Sequence, residues 1–564
     1  MFEQARPSPR QWATAVVLRF AETTNLSIAG RRFDVRGAGP LAPALSALLA
    51  AIGARRIERG ERPDYLFCTG EDASPLTRAD LSFPSAAGGT RPLLVVDATP
   101  EASATASAFA SADASAQAPA LDGGVAPVEQ LRDGVWATNV PDVVLVRLDR
   151  DRRGPELSPA VARIAWARRF MSTAEGLAAR MKADGTVRGL RVGLSMVLEP
   201  KTAVLALTLR EAGAEVAVFA HPDETDDTVA AALTDAGLHV YARSDAGPAE
   251  HRELASAFLA EHSQVLVDDG SHVIRLAHET APEALAGLIG AAEETTSGLR
   301  PLRTMAEEGR LKIPVVAVND ARSKTLFDNR YGTGQSCLFT ILGLTDVDLA
   351  TSTVVVAGYG HVGEGVAHHA RALGATVVVT ELDPVRALAA SFDGFRVAPL
   401  LEAVASAQLV VSATGVRDTI SLPVLLACAR DAVVAVAGGV PQEVAIDDAL
   451  AQGAVRETIG RKRERFTFAT GSSVVILDDG GCINVTAGEG NPIEIMDLSF
   501  AVQLAAIRQL VESAGSLTVG VHPLPAQADD AVAAEALKAA GVRIDTRTGP
   551  APAAEIWPRF GGEA

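Results

Sequence analysis

Short apolar runs alternate with helical stretches along most of the chain, which predicts an α/β fold. Near the start, apolar runs at 15–20, 65–68, 93–97 and 143–148 indicate strands, and 41–52 has the spacing of a helix. These elements predict an α/β module of unknown role at residues 1–157. Within it, 102–120 is almost entirely Ala, Ser and Thr, which is typical of an exposed low-complexity segment. We interpret Gly37-Ala38-Gly39-Pro40 as a plain strand-to-helix turn rather than a phosphate contact.

The clearest pattern begins at Thr353. A valine-rich strand leads into Gly358-Tyr359-Gly360-His361-Val362-Gly363, then a helical stretch, a second strand and Glu381. Gly358 permits a tight turn, Gly360 lets the backbone approach a pyrophosphate, and Gly363 allows close helix packing. Glu381 would accept hydrogen bonds from ribose hydroxyls and repel a 2′-phosphate. The pattern predicts a Rossmann-type, doubly wound domain that binds NAD; an α/β unit with incidental glycines is the alternative.

Two later strands fit the same sheet. Leu409–Ser412 is followed by Ala413-Thr414-Gly415, and 432–437 is followed by Gly438-Gly439. Small residues at the carboxyl ends of parallel strands leave room for a ligand. His368 and His369 lie on the first helix of this unit, away from that edge, and are predicted to be solvent-exposed.

Composition limits the remaining function classes. The chain has 564 residues, enough for about three or four domains of roughly 150 residues each. Its net charge is -18, and basic residues are nowhere dense enough to track phosphates, which argues against a nucleic-acid partner. The sequence contains neither a membrane-spanning apolar stretch nor a signal peptide, so a cytoplasmic protein without a membrane partner is predicted. Its four cysteines form no C-x-x-C pair, so we expect buried thiols, with no disulfide framework and no metal site.

Three polar strings precede the glycine-rich motif. They are Asp268-Asp269-Gly270 after an apolar run, the segment Glu293–Gly298, and the longer segment 319–336. If Ser323 onward is helical, Lys324 and Asp328 share a face. A buried lysine beside a carboxylate can move the proton of a hydroxyl, as oxidation of an alcohol by NAD requires. A solvated helix with an ordinary ion pair is the alternative.

Together these strings resemble S-adenosylhomocysteine hydrolase, and most closely its shorter, archaeal-type branch. The resemblance covers about 163–545, roughly two-thirds of the chain. It rests on 199–203, 268–270, 293–298, 324–336, 358–365, 380–384 and 492–500. It implies a substrate domain at 158–336 and 497–547, an NAD domain at 337–496 and a tail at 548–564. It also implies a homo-oligomer, either a dimer or a tetramer.

The resemblance implies a reaction and a set of site residues. NAD would oxidise the 3′-hydroxyl of an adenine nucleoside, a base would remove the C4′ proton, and the 5′ substituent would leave. The implied catalytic residues are Asp269, Glu294, Lys324, Asp328 and Asn329. The implied NAD contacts are Thr295, Thr296, Ser297, Gly358, Gly360, Val362, Gly363, Glu381, Thr414 and Asn484. The implied substrate contacts are Glu199, Lys201, Asn491, Met496 and Phe500.

Three histidines of the family pattern are missing. Their positions hold Val197, Gly439 and Asn491, and His272 is one candidate replacement. The family would use these imidazoles around the 5′ carbon and the added water, whereas the oxidation set remains. Our main hypothesis is therefore a nucleoside dehydratase, converting a psicofuranine-type nucleoside into a decoyinine (angustmycin A) type product in nucleoside antibiotic biosynthesis. The alternatives are S-adenosylhomocysteine hydrolase itself and a non-catalytic, NAD-binding regulatory relative.

Overall fold

A computed structural model describes residues 8–546, apart from 38, 59, 70–75, 77–80, 82–90, 100–126, 149–158 and 439–441. The predicted low-complexity segment, Gly439 and the tail from 548 lie outside the described residues. The described part of the chain forms three mainly parallel sheets flanked by helices, and the predicted α/β class is confirmed.

The first sheet lies in the N-terminal part of the chain. Its strands are β1 (Arg32–Arg36), β2 (Arg55–Arg56), β3 (Tyr65–Cys68), β4 (Leu93–Asp97), β5 (Pro127–Arg132), β6 (Val135–Thr138) and β7 (Val143–Arg147), in the spatial order β2-β1-β3-β4-β7-β6-β5. Helices α1 (Pro9–Thr24) and α2 (Leu41–Ile52) pack against each other beside it.

The apolar run at 15–20 is not a strand, and that prediction was wrong. Ser8 and Gln11 form a capping box, and Pro9 occupies the first turn, so a helix begins just before the run. Trp12, Val16 and Phe20 then fall on one buried face of α1.

The second sheet is parallel throughout its described strands. These are β8 (Arg191–Ser195), β9 (Glu215–Phe219), β10 (His239–Tyr241), β11 (Val265–Asp268), β12 (Gly290–Glu293), β13 (Pro314–Ala317) and β22 (Gly520–Pro523), in the order β10-β9-β8-β11-β12-β13-β22. The central strands are apolar on both faces because helices cover both sides. Parallel pairing brings the carboxyl ends of β9, β8, β11 and β12 to one edge.

The third sheet has the strand order of a dinucleotide-binding domain. Its strands are β14 (Thr353–Ala357), β15 (Thr376–Thr380), β16 (Arg396–Val397), β17 (Leu409–Ser412), β18 (Ala432–Val436), β19 (Val455–Gly460), β20 (Arg463–Thr467) and β21 (Ser473–Leu477). The order β16-β15-β14-β17-β18-β21 reverses direction between β14 and β17, which is where such sheets bind ligands.

The remaining helices connect and cover the second and third sheets. They are α3 (Ala160–Arg168), α4 (Ser172–Asp184), α5 (Pro200–Glu211), α6 (Asp227–Asp235), α7 (Pro248–Leu259), α8 (His272–Thr280), α9 (Pro282–Leu285), α10 (Thr296–Glu307), α11 (Arg322–Lys324), α12 (Thr333–Leu344), α13 (His361–Ala372), α14 (Pro384–Phe392), α15 (Leu400–Ala403), α16 (Leu422–Ala427), α17 (Ile446–Ala451), α18 (Ile483–Thr486), α19 (Ile493–Glu512) and α20 (Ala526–Ala539). A π-helical turn, Thr325–Gly332, joins α11 to α12. Within the described ranges, we find no helix with the length and apolar character that crossing a membrane requires.

Candidate functional site

Acidic side chains gather where the strands of the second sheet end. Glu293, at the end of β12, is buried, and its carboxylate accepts hydrogen bonds from the backbone N–H groups of Gly270 and Ser271 beyond β11 (3.0 and 2.8 Å). Asp268 is also buried and accepts from the Ile274 N–H at 2.8 Å. A Cβ at Gly298 would lie 2.2 Å from a Glu293 oxygen, so only glycine fits beside this carboxylate. These bonds fix the loop that carries Asp269.

Lys324 lies at the centre of the predicted catalytic set. Its Nζ is 2.7 Å from an Asp328 oxygen and donates to the Asn329 side-chain oxygen at 2.9 Å. Glu294 approaches the same Nζ at 3.7 Å, and Lys324 is only 3 % exposed. The π-helical turn rotates successive side chains less than an α-helix does, so the positions four and five residues after Lys324 both lie on its side, and Asp328 and Asn329 reach the amine. The structure therefore brings together the side chains predicted for the sugar hydroxyl.

The charges in this cluster shift one another's protonation. Burial would lower the pKa of Lys324, but the carboxylates of Asp328 and Glu294 raise it above its usual value. Burial raises the pKa of Asp269 to about 6 and that of Glu294 to about 7, with Lys324 opposing both shifts. At neutral pH, Asp269 is mostly ionised and able to accept a proton.

Asn491, one of the three histidine replacements, lies inside the cluster. Its Nδ2 donates to Asp328 at 2.6 Å and to the Thr333 hydroxyl at 3.1 Å. Its Oδ1 accepts from Ser336 at 2.6 Å and from Asn484 at 3.0 Å. An amide with all these partners is held in one orientation and titrates at no pH, so it cannot exchange protons as an imidazole would. Position 439 lies outside the described residues.

A group of histidines and a carboxylate flanks Asp269 on the β9 side of the sheet edge. The His221 ring packs edge to face against His251 and His272, with centroids 4.7 and 4.6 Å apart. Burial, followed by the negative charge of Asp269, raises the pKa of Glu224 to about 8. Burial and the two neighbouring imidazoles lower the pKa of His221 to about 4.

Sequence reasoning missed His221 and Glu224. The available signal was their position directly after β9, whose carboxyl end meets the same edge as Asp269. His272, which the sequence singled out, belongs to this group rather than standing alone.

The predicted base contacts lie on another side of the cluster. Glu199 caps α5 by accepting from the Lys201 N–H at 3.0 Å. The buried Lys201 amine then lies 2.8 Å from a Glu199 oxygen and donates to the Glu489 carbonyl at 2.7 Å. Met496 and the fully buried Phe500 lie on α19.

The glycine-rich turn has the shape needed to hold a dinucleotide. Gly358 has a φ of +94°, and a Cβ on Gly363 would lie 2.0 Å from the Gly358 carbonyl oxygen. Gly360 and Val362 begin α13, whose first N–H groups face the turn. Glu381, at the end of β15, accepts from the Tyr359 N–H at 2.7 Å. These features fit NAD, with acceptor capacity left on Glu381 for a ribose hydroxyl.

The other predicted NAD contacts lie at neighbouring strand ends. Thr414 follows β17 and shares a hydrogen bond with Thr419 at 2.6 Å. Thr295, Thr296 and Ser297 lie at the start of α10. Asn484 lies on α18 beside Asn491. These residues lie near the carboxyl ends of strands of the second and third sheets, at the edges that carry the predicted catalytic and NAD-binding residues.

The interpretation of His369 as solvent-exposed was wrong. Its ring is 4 % exposed, with Nδ1 2.8 Å from the Gly365 carbonyl oxygen, because α12 packs closely over this face of α13. His368 is partly exposed and lies 2.9 Å from Arg371. Three of the four cysteines are buried, as expected, and Cys482 is partly buried.

Known proteins are similar in sequence to this chain over about two-thirds of its length. A model of S-adenosyl-L-homocysteine hydrolase matches residues 161–287, and a model of its NAD binding domain matches 329–490. An adenosylhomocysteinase of Thermotoga maritima is 41 % identical over 388 residues, which is 68 % of this chain and 96 % of that protein. An S-inosyl-L-homocysteine hydrolase of Methanopyrus kandleri is 39 % identical over 401 residues, 70 % of this chain and 94 % of that protein.

Proposed function

Since the chain belongs to the S-adenosylhomocysteine hydrolase family of NAD-dependent enzymes, we propose that it oxidises a nucleoside sugar transiently and expels its 5′ substituent. The single observation that carries this proposal is the buried Lys324 amine between Asp328 and Asn329, next to Asp269 and Glu294. When bound, NAD would supply hydride-transfer chemistry at the 3′ carbon. The residues Gly358, Gly360, Gly363 and Glu381 would hold it.

The chain's own residues move the protons. The Lys324 amine, kept protonated by its carboxylate neighbours, donates to the 3′ oxygen, and the Asp328 carboxylate accepts the hydroxyl proton as the carbon becomes a ketone. Asn329 keeps the amine in place. The ketone acidifies the adjacent C4′–H, and the ionised Asp269 accepts that proton. Glu294, braced by hydrogen bonds from Ser499 and Gln503, holds the sugar hydroxyls.

We propose that the 5′-hydroxyl leaves as water, which makes the enzyme a nucleoside dehydratase. A hydroxyl leaves poorly unless an acid protonates it, and Glu224, with a pKa of about 8, carries a proton at neutral pH. The C4′–H and C5′–O bonds break, C4′=C5′ forms, and the Glu224 proton leaves as part of water. With the 3′ alcohol restored at the end, the net change is loss of one water. A psicofuranine-type nucleoside would give a decoyinine-type enol ether.

Hydrolysis of S-adenosylhomocysteine is the second candidate. It is favoured by the names of the relatives, two of which are an adenosylhomocysteinase and an S-inosyl-L-homocysteine hydrolase. The comparisons support this alternative better than they support dehydration. The missing imidazoles, with Val197 and Asn491 in two of their places, favour dehydration instead.

The deciding experiment offers three substrates to the purified holoenzyme: psicofuranosyl adenine, S-adenosylhomocysteine and S-inosylhomocysteine. Product masses are followed with and without added NAD. We expect the psicofuranoside to lose one water, an 18 Da change set by the mass of water. Robust release of homocysteine with an inert psicofuranoside would overturn the dehydratase proposal in favour of hydrolysis.

Two lysine variants test whether the protein is an enzyme at all. Lys324→Ala removes the buried amine, whereas Lys312→Ala removes an exposed amine that only touches the Gly309 carbonyl. We expect the first to lose at least about 100-fold in turnover and the second to retain it. Equal activity of Lys324→Ala and wild type would refute both enzymatic proposals and leave the NAD-binding regulatory relative.

A further inference from the structure

The N-terminal module is hydrogen-bonded directly to the loop beside the predicted nucleobase contacts of the candidate site. This loop, 488–492, carries Glu489 and Asn491 and leads into α19. The chain leaves α1 at Asn25, whose side-chain amide donates to the Glu489 carbonyl at 2.9 Å and to its carboxylate at 3.3 Å. The Asn25 carbonyl accepts from the Ile493 N–H at 2.9 Å. One residue of the module thus holds the loop from both ends.

The next residues of the module extend this contact. The Ser27 N–H donates to Glu494 at 2.9 Å, and the Ile28 N–H donates to Gln335 at 3.1 Å. Gln335 returns a bond to the Leu26 carbonyl at 3.1 Å. Because these buried backbone groups are hydrogen-bonded, the segment is held in one position against the site.

Arg132, at the end of β5, binds the same loop from a second part of the module. Its guanidinium lies 3.3 Å from the Glu489 carboxylate and is 9 % exposed. Burial would raise the pKa of Glu489, but the charges of Arg132, Lys201 and Arg163 hold it below its usual value. Glu489 therefore stays ionised between the module and the site.

Lys201 binds the same loop from the side opposite the module. Its amine donates to the Glu489 carbonyl at 2.7 Å, the same oxygen that accepts from Asn25. The Glu489 carbonyl is thus shared between a module side chain and a predicted base contact. Moving the loop would move the position of the Lys201 amine and of the Asn491 amide that holds Asp328.

We infer that the N-terminal module is part of the nucleoside site, with Asn25 and Arg132 as positioning residues that set the base contact Lys201 through Glu489. This inference rests on the proposed function, because it assumes a nucleoside beside Lys201. The module precedes the substrate-domain match, which begins at residue 161. It adjusts recognition of the base and leaves the sugar chemistry to Lys324 and Asp269.

The test measures binding of adenosine and inosine to the NAD-loaded enzyme by calorimetry. Asn25 has a φ of +51°, a conformation that Asp adopts readily, so Asn25→Asp keeps the backbone, removes the N–H donors and places a carboxylate against the ionised Glu489. Arg132→Met removes the charge from the other side. The control Arg55→Ala breaks an exposed ion pair with Glu61 that lies wholly within the module.

We expect Asn25→Asp and Arg132→Met to weaken binding of the preferred nucleoside about tenfold, and to raise KM while kcat changes less than about threefold. The ratio of adenosine to inosine affinity should shift in both variants and stay unchanged in Arg55→Ala. NAD content and melting temperature serve as checks of folding, and Arg132→Met decides if Asn25→Asp fails to fold.

Two outcomes distinguish a failure of the proposed function from a failure of the positioning role. If the wild-type enzyme binds neither nucleoside, the proposed function is wrong. If it binds one of them, and both folded variants bind it with wild-type affinity and base preference, the positioning role is wrong while the proposed function stands.

Discussion

Glu224 gives the clearest pH prediction at the level of single side chains. Asp269 must be ionised to accept the C4′ proton, so activity should rise as pH increases through about 6. Glu224 must be protonated to act as the acid, so activity should fall as pH increases through about 8. The profile of kcat/KM against pH should therefore be bell-shaped between those two limbs.

The Glu224→Gln variant tests whether Glu224 produces the alkaline limb of the pH profile. It removes the acid but keeps the shape, so we expect a loss of about 100-fold and disappearance of the alkaline limb. Glu253→Gln, on the exposed face of α7, is the matched control and should keep the full bell. An alkaline limb that survives in Glu224→Gln would assign that proton to another group.

Sequence could predict the oxidation set because its members are close along the chain. Lys324, Asp328 and Asn329 span six positions, so local helical geometry alone brings them together. Glu224 and Asn25 could not be found this way. Glu224 meets Asp269 only because β9 and β11 flank β8, and Asn25 meets Glu489 across 464 positions of sequence.

Elements were predictable where a pattern was strong and local. The strand, turn and helix around Gly358 occur as expected because the glycines, the valine run and the helix start all specify one arrangement. The run at 15–20 was mistaken for a strand because a six-residue run that is apolar except at Arg19 fits either a strand or one side of a helix. The capping box at Ser8 decided between them, and it precedes the run.

The packing of α13 against its turn predicts the effect of a single methyl group. A Cβ at Gly363 would lie 2.0 Å from the Gly358 carbonyl oxygen, so Gly363→Ala must push the helix start away from the strand. Overpacking of this kind costs about 1–3 kcal/mol, and we expect affinity for NAD to fall about tenfold or more.

The control is Gly343→Ala on α12, where nothing lies within 4 Å of the added Cβ. It should retain NAD and gain slightly in stability, since Ala favours a helix by about 0.5–1 kcal/mol over Gly. Titration of NAD-free protein with NAD, followed by calorimetry, measures the NAD affinity of both variants. Wild-type affinity in Gly363→Ala would show that the turn does not set the NAD site.

One buried core crosses all three sheets, which affects how the whole molecule unfolds. The largest apolar cluster includes Phe20 of the N-terminal module, Leu194 of the second sheet and Val356 of the third. The Trp166 indole N–H donates to the Thr24 carbonyl at 2.8 Å, so the module and α3 are also tied by a buried hydrogen bond. Shared apolar contacts of this extent favour one cooperative transition over three separate ones.

The ion pair between Arg31 and Glu494 tests that coupling. The two side chains are 15 % and 2 % exposed and lie 3.4 Å apart, and Tyr65 also donates to Glu494 at 3.3 Å. Arg31→Met removes the positive charge paired with the buried Glu494 carboxylate. We expect a loss of about 2 kcal/mol, below the roughly 3–5 kcal/mol of a fully buried pair, because Arg91 also interacts with Glu494.

The double variant Arg31→Met/Glu494→Gln should recover part of that loss, since no unpaired charge stays buried. Urea unfolding is followed by tryptophan fluorescence, which reports on Trp12 and Trp136 of the module and on Trp166 and Trp557 outside it, and by far-UV circular dichroism, which reports on the whole fold. If the core couples the sheets, both signals shift together to lower urea in Arg31→Met. A fluorescence transition that moves alone would mean that the module unfolds independently and that its contact with α19 does not stabilise the rest of the molecule.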